Sequence, residues 1–377
     1  MRSFITLFVL LIPLSLYGQV WEGHVINSGI SSLVSVNTGD IDGDGDIDVL
    51  GRSEIEGDDF THNVWFENVD SVGTTWLPHS YQKFGTMSLV QAADLDGDGD
   101  LDIIGVSSPK AYWWENADGE GTDWDRHDIS EAFETYTSLT TADMDGDGDL
   151  DIVSNSAAAG KAGAKWYENA EGDASTWTEH GIDTQFAYPE DINPVDMDGD
   201  GDMDLVATEE GDNRNVVWSE NTDGTGTSWT SHTVDTDLDG EAIIAFDVDL
   251  DGDMDIVATG GTDNEYSRYA AYWYENTNGD GSAWDRFILY DTYDEHGHIF
   301  YIDYVRAADL DHDGDMDIIL SGDNDYTTAD KNYYGLLWLE NTQGDKNYWP
   351  KNLIQRSFDP AGLAFDDLNG DGYIDVI

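Results

Sequence analysis

Residues 40–48 read "DIDGDGDID", and five of the nine are aspartate. Relatives of this string return six more times: "DLDGDGDLD" (94–102), "DMDGDGDLD" (143–151), "DMDGDGDMD" (196–204), "DVDLDGDMD" (247–255), "DLDHDGDMD" (309–317) and "DLNGDGYID" (367–375). Their starts lie 54, 49, 53, 51, 62 and 58 residues apart, so a unit of about fifty residues is present seven times.

A second motif travels with the first. Trp-x-Glu-Asn begins at Trp65, Trp113, Trp166, Trp218, Trp273 and Trp338. A further Trp follows each after eleven residues, at Trp76, Trp124, Trp177, Trp229, Trp284 and Trp349. Three residues beyond that stand His79, His127, His180 and His232, then Phe287 and Asn352. The intervening runs ("SLVSVNTGD", "DIVS", "AKWYEN", "STWTEHGI") are short, rich in β-formers and broken by Gly, Asn and Asp, which reads as strands. Strand A leads into the acidic string, B follows it, C carries Trp-x-Glu-Asn and D carries Trp-x-x-His. Seven four-stranded units predict an all-β, seven-bladed β-propeller over residues 19–377.

The ends bear on closure. "WEGHVI" (21–26) has the strand D pattern with no strand C before it, and residue 377 lies just after strand B of the seventh unit. The N-terminal strand is therefore expected to close the seventh blade. The strand C of that blade is expected beyond residue 377, with room for further C-terminal domains. Residues 1–18 have a basic Arg2, an apolar run from Phe4 to Ile12 and a small Gly18, the pattern of a secretory signal peptide. The run is too short to span a bilayer comfortably. The expected location is secreted, extracellular or at the cell surface, with no membrane insertion after signal cleavage.

There are 80 acidic and 15 basic residues, a formal charge of −65, and no cysteine. No basic patch exists to neutralise phosphates, so nucleic acid is excluded as a partner. A hydrophobic content of 39%, 12% of the chain being aromatic, excludes a disordered chain. Without disulfides the fold needs another staple, and the acidic strings suit one. Calcium takes six to eight oxygen ligands in flexible geometry, whereas magnesium demands a near-octahedral set and zinc wants His or Cys.

The expected ligand positions are Asp40, Asp42, Asp44, Asp46 and Asp48; Asp94, Asp96, Asp98, Asp100 and Asp102; and Asp143, Asp145, Asp147, Asp149 and Asp151. They continue as Asp196, Asp198, Asp200, Asp202 and Asp204; Asp247, Asp249, Asp251, Asp253 and Asp255; and Asp309, Asp311, Asp313, Asp315 and Asp317. The last set is Asp367, Asn369, Asp371, Tyr373 and Asp375, expected to be the weakest because Asn369 carries no charge. Positions 1, 3 and 5 offer side chains, position 7 its carbonyl and position 9 a bidentate carboxylate. Gly at position 6 permits the turn, and the apolar residue at position 8 is expected to enter the core. An EF-hand would need Glu at position 12 and flanking helices, and neither is present. Up to seven Ca²⁺ would add +14 and leave −51 of the −65.

These residues resemble the FG-GAP/VCBS class of repeat, the calcium-loop blade of integrin α-subunit propellers and of many secreted bacterial proteins. The resemblance covers about residues 20 to 377. The Phe-Gly and Gly-Ala-Pro signatures of the integrin repeat are not evident as recurring features, with Trp-x-Glu-Asn in their place. It implies a seven-bladed propeller used for adhesion or ligand binding, without naming the ligand.

The Trp and Glu-Asn rows and the strand D histidines read as packing and turn chemistry. Variation is concentrated in the connections opposite the acidic strings, at 258–270, 291–304 and 321–335. These supply a candidate ligand face of Tyr266, Arg268, Tyr269, His296, His298, Tyr301, Tyr326, Lys331 and Tyr333, suited to a glycan or protein ligand. Enzyme signatures are lacking: no Gly-x-Ser-x-Gly, His-Glu-x-x-His or phosphate-loop string occurs. The leading expectation is a secreted calcium-binding adhesion or ligand-binding module. The alternative is a carbohydrate-active enzyme, such as a polysaccharide lyase, or its glycan-binding part.

Overall fold

The computed structural model describes residues 8–11, 21–26, 30–55, 61–82, 89–107, 110–130, 138–156, 163–183, 189–209, 214–262, 268–292, 300–324, 334–346, 348–356 and 362–377. Among them every regular element is a β-strand. Six sheets have four strands each in the expected A-B-C-D order, the blades of a β-propeller. The first runs Ile30–Gly39, Asp48–Ile55, Thr61–Asn68 and Trp76–Gln82, and the sixth ends with Lys351–Arg356. Two compact units are distinguished. One comprises Met1–Glu134, Glu171–Trp177 and Ala361–Ile377, the other Thr135–Ala170 and Thr178–Pro360.

Within a blade, burial explains composition. Strand B of the fourth blade, Asp204–Glu209, is buried at every residue, as is Asp255–Thr262 in the fifth. Such strands read as continuous β-branched and small apolar runs. Strand D of the fourth blade, Trp229–Asp235, has no fully buried residue, as suits an outer strand. Between blades the apolar residues interlock: Ile41, Leu50 and Trp65 of the first blade pack with Val90, Ile103 and Trp114 of the second. The strand C tryptophans are the largest wholly enclosed side chains, with Trp65, Trp166, Trp218 and Trp273 each at 1% exposure or less. Each sits under a turn of the following blade: Trp166 Nε1 donates to Gly226 O at 3.1 Å and Trp218 Nε1 to Gly281 O at 3.2 Å. A Cβ on Gly226 would lie 2.6 Å from the Trp166 ring, so the close approach of backbone to indole requires glycine there.

A further four-stranded sheet differs in make-up. Its order is Glu22–Val25, Phe8–Leu11, Asp375–Val376 and Phe365–Asp366. The expected N-terminal strand D is present, and Phe8–Leu11 pairs beside it in the position that strand C takes in the six blades. The register matches that of the six blades. His24 pairs with Val9, as His79 pairs with Trp65, and Val376 pairs with Leu10, as Val49 pairs with Phe66. The apolar run read as a leader is β-forming and about one strand long, which allows it to lie there.

Candidate metal centre

Each acidic string joins strand A to strand B and turns on its own carboxylates. In the first loop Asp40 Oδ2 accepts the Gly45 N–H at 3.0 Å, Asp42 Oδ1 accepts that of Asp44 at 3.3 Å, and Asp44 Oδ1 accepts that of Asp46 at 3.0 Å. The position 6 glycine is left-handed in all seven loops, with φ between 88° and 101°. No atom crowds its missing Cβ, so backbone conformation rather than space selects glycine. Position 4 is left-handed too, including Leu250 (φ 60°) and His312 (φ 62°). Leu250 is 52% exposed and buries little. Leu250→Gly is therefore expected to stabilise the protein by about 1 kcal/mol, the left-handed penalty of a side chain with a Cβ. A chemical-denaturation midpoint that fails to rise would refute this.

The ninth position does more than the sequence suggests. Asp151 is 1% exposed, and both of its oxygens accept backbone N–H groups, Met144 at 2.9 Å and Asn169 at 2.8 Å. The same pair of bonds recurs at Asp48, Asp102, Asp204, Asp255 and Asp317. These carboxylates tie the loop to strand C, so the expected bidentate ligand is first a structural clip. Burial pushes them up to about 7, with the two N–H donors opposing the shift. Asp375 lacks the strand C asparagine partner, keeps a buried Oδ1 without a hydrogen bond, and is pushed up to about 8.

The asparagine of Trp-x-Glu-Asn completes this stitching, a role its sequence pattern did not disclose. Asn116 Nδ2 donates to Leu101 O of its own loop and, at 2.8 Å, to Ile41 O of the preceding one, while its Oδ1 accepts the Gly121 N–H. Asn68, Asn221, Asn276 and Asn341 repeat the arrangement. The loop meets the core at two positions, where one was expected. Position 8 is only half-buried, and Met316 is 37% exposed. Position 2 is the more enclosed, from Ile41 through Leu95, Met144, Met197, Val248 and Leu310 to Leu368. Position 8 still reaches the core from its edge, where Ile47, Leu101, Met203 and Met254 pack against buried clusters.

What remains is an oxygen cluster. In the first four loops an oxygen from each of positions 1, 3 and 9 lies within 4.8 Å of the other two; in the fifth the group is Asp247, Asp249 and Asp251. Buried Oδ1 atoms of Asp40, Asp196, Asp249 and Asp309 have no hydrogen-bond partner. Burial and neighbouring carboxylates raise Asp42 to about 6 and push Asp96, Asp145, Asp198, Asp249 and Asp311 upward. Unpaired buried carboxylate oxygens are costly unless a cation joins them, and an all-oxygen set fits a hard divalent ion. Position 7 turns its side chain away: Asp315 Oδ2 accepts the Gln343 N–H at 2.8 Å, and Asp46 accepts from Ser71 Oγ. Its carbonyl is the group left for a metal.

The Trp, Glu and His rows are structural, as read. His79 stacks on Trp65 at 4.4 Å and meets Glu67 at 2.6 Å, and His127, His180 and His232 do the same with their own Trp and Glu. Of the candidate ligand face, Tyr269 and Tyr301 are brought together edge to face, with ring centroids 4.5 Å apart. Arg268 opens strand C of the fifth blade, but its side chain lies outside the described residues, as do Tyr266, His296, His298, Tyr326, Lys331 and Tyr333.

The FG-GAP-like repeat family matches residues 40–105, 94–154 and 196–258. A solved structure that resembles the chain is the biofilm matrix protein Bap1 of V. cholerae, at 17% identity and a TM-score of 0.43. The match covers 71% of this chain, which spans 40% of the length of that protein. No curated protein matches the chain.

Proposed function

We propose that this chain of FG-GAP-like repeats is a secreted, calcium-stabilised β-propeller that acts as an adhesion or ligand-binding module. The observation that carries the reading is the recurrent cluster of carboxylate oxygens at positions 1, 3 and 9, several of them buried and unpaired. Calcium would be held by the side chains of positions 1, 3, 5 and 9 and the carbonyl of position 7. It would supply the positive charge those loops lack, and the chain's residues do the rest by fixing loop and blade. Residues 1–18 act as the signal peptide, so Phe8–Leu11 pairs beside Glu22–Val25 in the precursor only, and the sheet that contains Glu22–Val25 is the seventh blade. Among the described residues no helix is long and apolar enough to cross a membrane.

The partner would be a glycan or a protein bound on the end opposite the acidic loops, where Tyr269 and Tyr301 meet. Such a surface is aromatic and polar, the mixture that suits saturated polar ligands. The test is glycan-array binding with and without chelator, alongside turnover assays on acidic polysaccharides. Calcium-dependent binding without product release is the expected result. Product release abolished by His296→Ala would replace the module by an enzyme.

A further inference from the structure

The fifth acidic loop is built differently from the first four, and the difference is a lysine. In the first four blades the Glu of Trp-x-Glu-Asn meets the strand D histidine stacked on the same Trp. In the fifth, Phe287 takes the histidine's place against Trp273, and Glu275 instead accepts from Lys346 Nζ at 2.5 Å. Lys346 comes from the C–D turn of the sixth blade, eight residues after Trp338. Gly121, Gly226 and Gly281 hold that place in other blades, where the turn lies on the preceding blade's tryptophan. Two exchanges, His to Phe and Gly to Lys, thus converge on one spot. They replace a histidine by a permanently charged ammonium, which lies 5.8 Å from the Trp273 ring and 5.4 Å from that of Phe287.

That ammonium stands beside a metal loop. The turn carrying Lys346 presses on position 3 of the fifth loop: a Cβ on Gly344 would lie 2.3 Å from Asp249 Cβ. The charges of Lys346 and Asp249 act on each other. The oxygen cluster here is also distinct, with Asp251 grouped in place of the position 9 carboxylate.

We infer that Lys346 is a tethered cation that lowers the divalent-ion affinity of the fifth loop, so that this loop empties before its neighbours as free calcium falls. The inference rests on the calcium reading of the acidic loops. A fixed positive charge repels an arriving Ca²⁺ and lends its own charge to the aspartates when the ion leaves. At protein-surface dielectric this is worth roughly tenfold in affinity.

The test is equilibrium dialysis of the full chain against radioactive calcium over a series of free concentrations. Lys346→Gln is expected to move one equivalent of bound calcium to a free concentration about tenfold lower. Lys346→Met, which keeps the stem over Trp273 and Phe287, is expected to move the same equivalent. Lys346→Arg retains the charge and leaves the isotherm in place, as does Lys110→Gln, which removes an equal charge from the second blade. Calcium binding by every variant on one superimposable isotherm overturns the tethered cation and leaves the calcium loops standing. Absence of bound calcium from the wild-type chain overturns both.

Discussion

Adding a calcium chelator is expected to lower the melting temperature by roughly 15 °C or more. A ligand that binds only the folded state contributes about 2.7 kcal/mol per site at a free concentration one hundred times its dissociation constant. Several such sites together approach the whole stability of an ordinary domain, about 5–15 kcal/mol. No disulfide is available to hold the chain in their stead. The pH dependence gives the same experiment a sign. In the metal-free protein the position 9 carboxylates are pushed up to about 7 from an ordinary value of 3.8. A raised folded value means that stability is full below about pH 4 and is lost as the pH climbs through 7. Under chelator the melting temperature is therefore expected to rise on acidification from pH 8 to pH 5. With calcium it is expected to fall over the same window, because protons compete with the metal. Differential scanning calorimetry at the two pH values, with and without chelator, checks both slopes. Parallel slopes, or melting unmoved by the chelator, would sink the calcium reading.

Asp151→Ala is the substitution with the largest expected cost, about 2–5 kcal/mol even with no calcium in solution. It strands the buried N–H groups of Met144 and Asn169, and a buried donor without an acceptor costs about 1–3 kcal/mol. Asp147→Ala is the contrast. Asp147 is exposed and serves one local N–H, that of Asp149, so its loss is expected to matter only when calcium is present. Urea denaturation of both variants, with and without chelator, separates the clip from the ligand. Equal losses under chelator would mean that position 9 has no structural duty of its own.

Much of the fold could be read from the chain because a fifty-residue period leaves little choice. Paired tryptophans at a fixed spacing of eleven residues marked strands C and D, and the acidic strings marked the turn from A to B. The misreadings share a cause. An alternating Asp-x-Asp string does not disclose which carboxylate faces inward, and that depends on the N–H donors supplied from strand C. So the N–H partners of Asp48 and its counterparts went unread, and the core place of Ile41, beside that of Ile47, was missed. Asn116 and its counterparts looked like turn residues because their partners lie one blade away, beyond any local pattern. A short apolar β-forming run such as Phe8–Leu11 serves a leader and a strand equally well, and sequence alone shows only the first use. The ligand face was the least legible, since a repeat constrains what recurs and that face is made of what does not.

The asparagine that spans two loops makes the blades behave as links in a chain. Asn221 holds the carbonyl of Met144 in the third blade's loop, Asn276 that of Met197 in the fourth, and Asn341 that of Val248 in the fifth. Each loop's shape is thus partly set by the blade that follows it. Nearest-neighbour coupling of this kind gives an array directional cooperativity. A loop that orders around its ion presents its carbonyl correctly to the next asparagine and eases the ordering of that blade. A defect spreads outward from its own position, reaching adjoining repeats first.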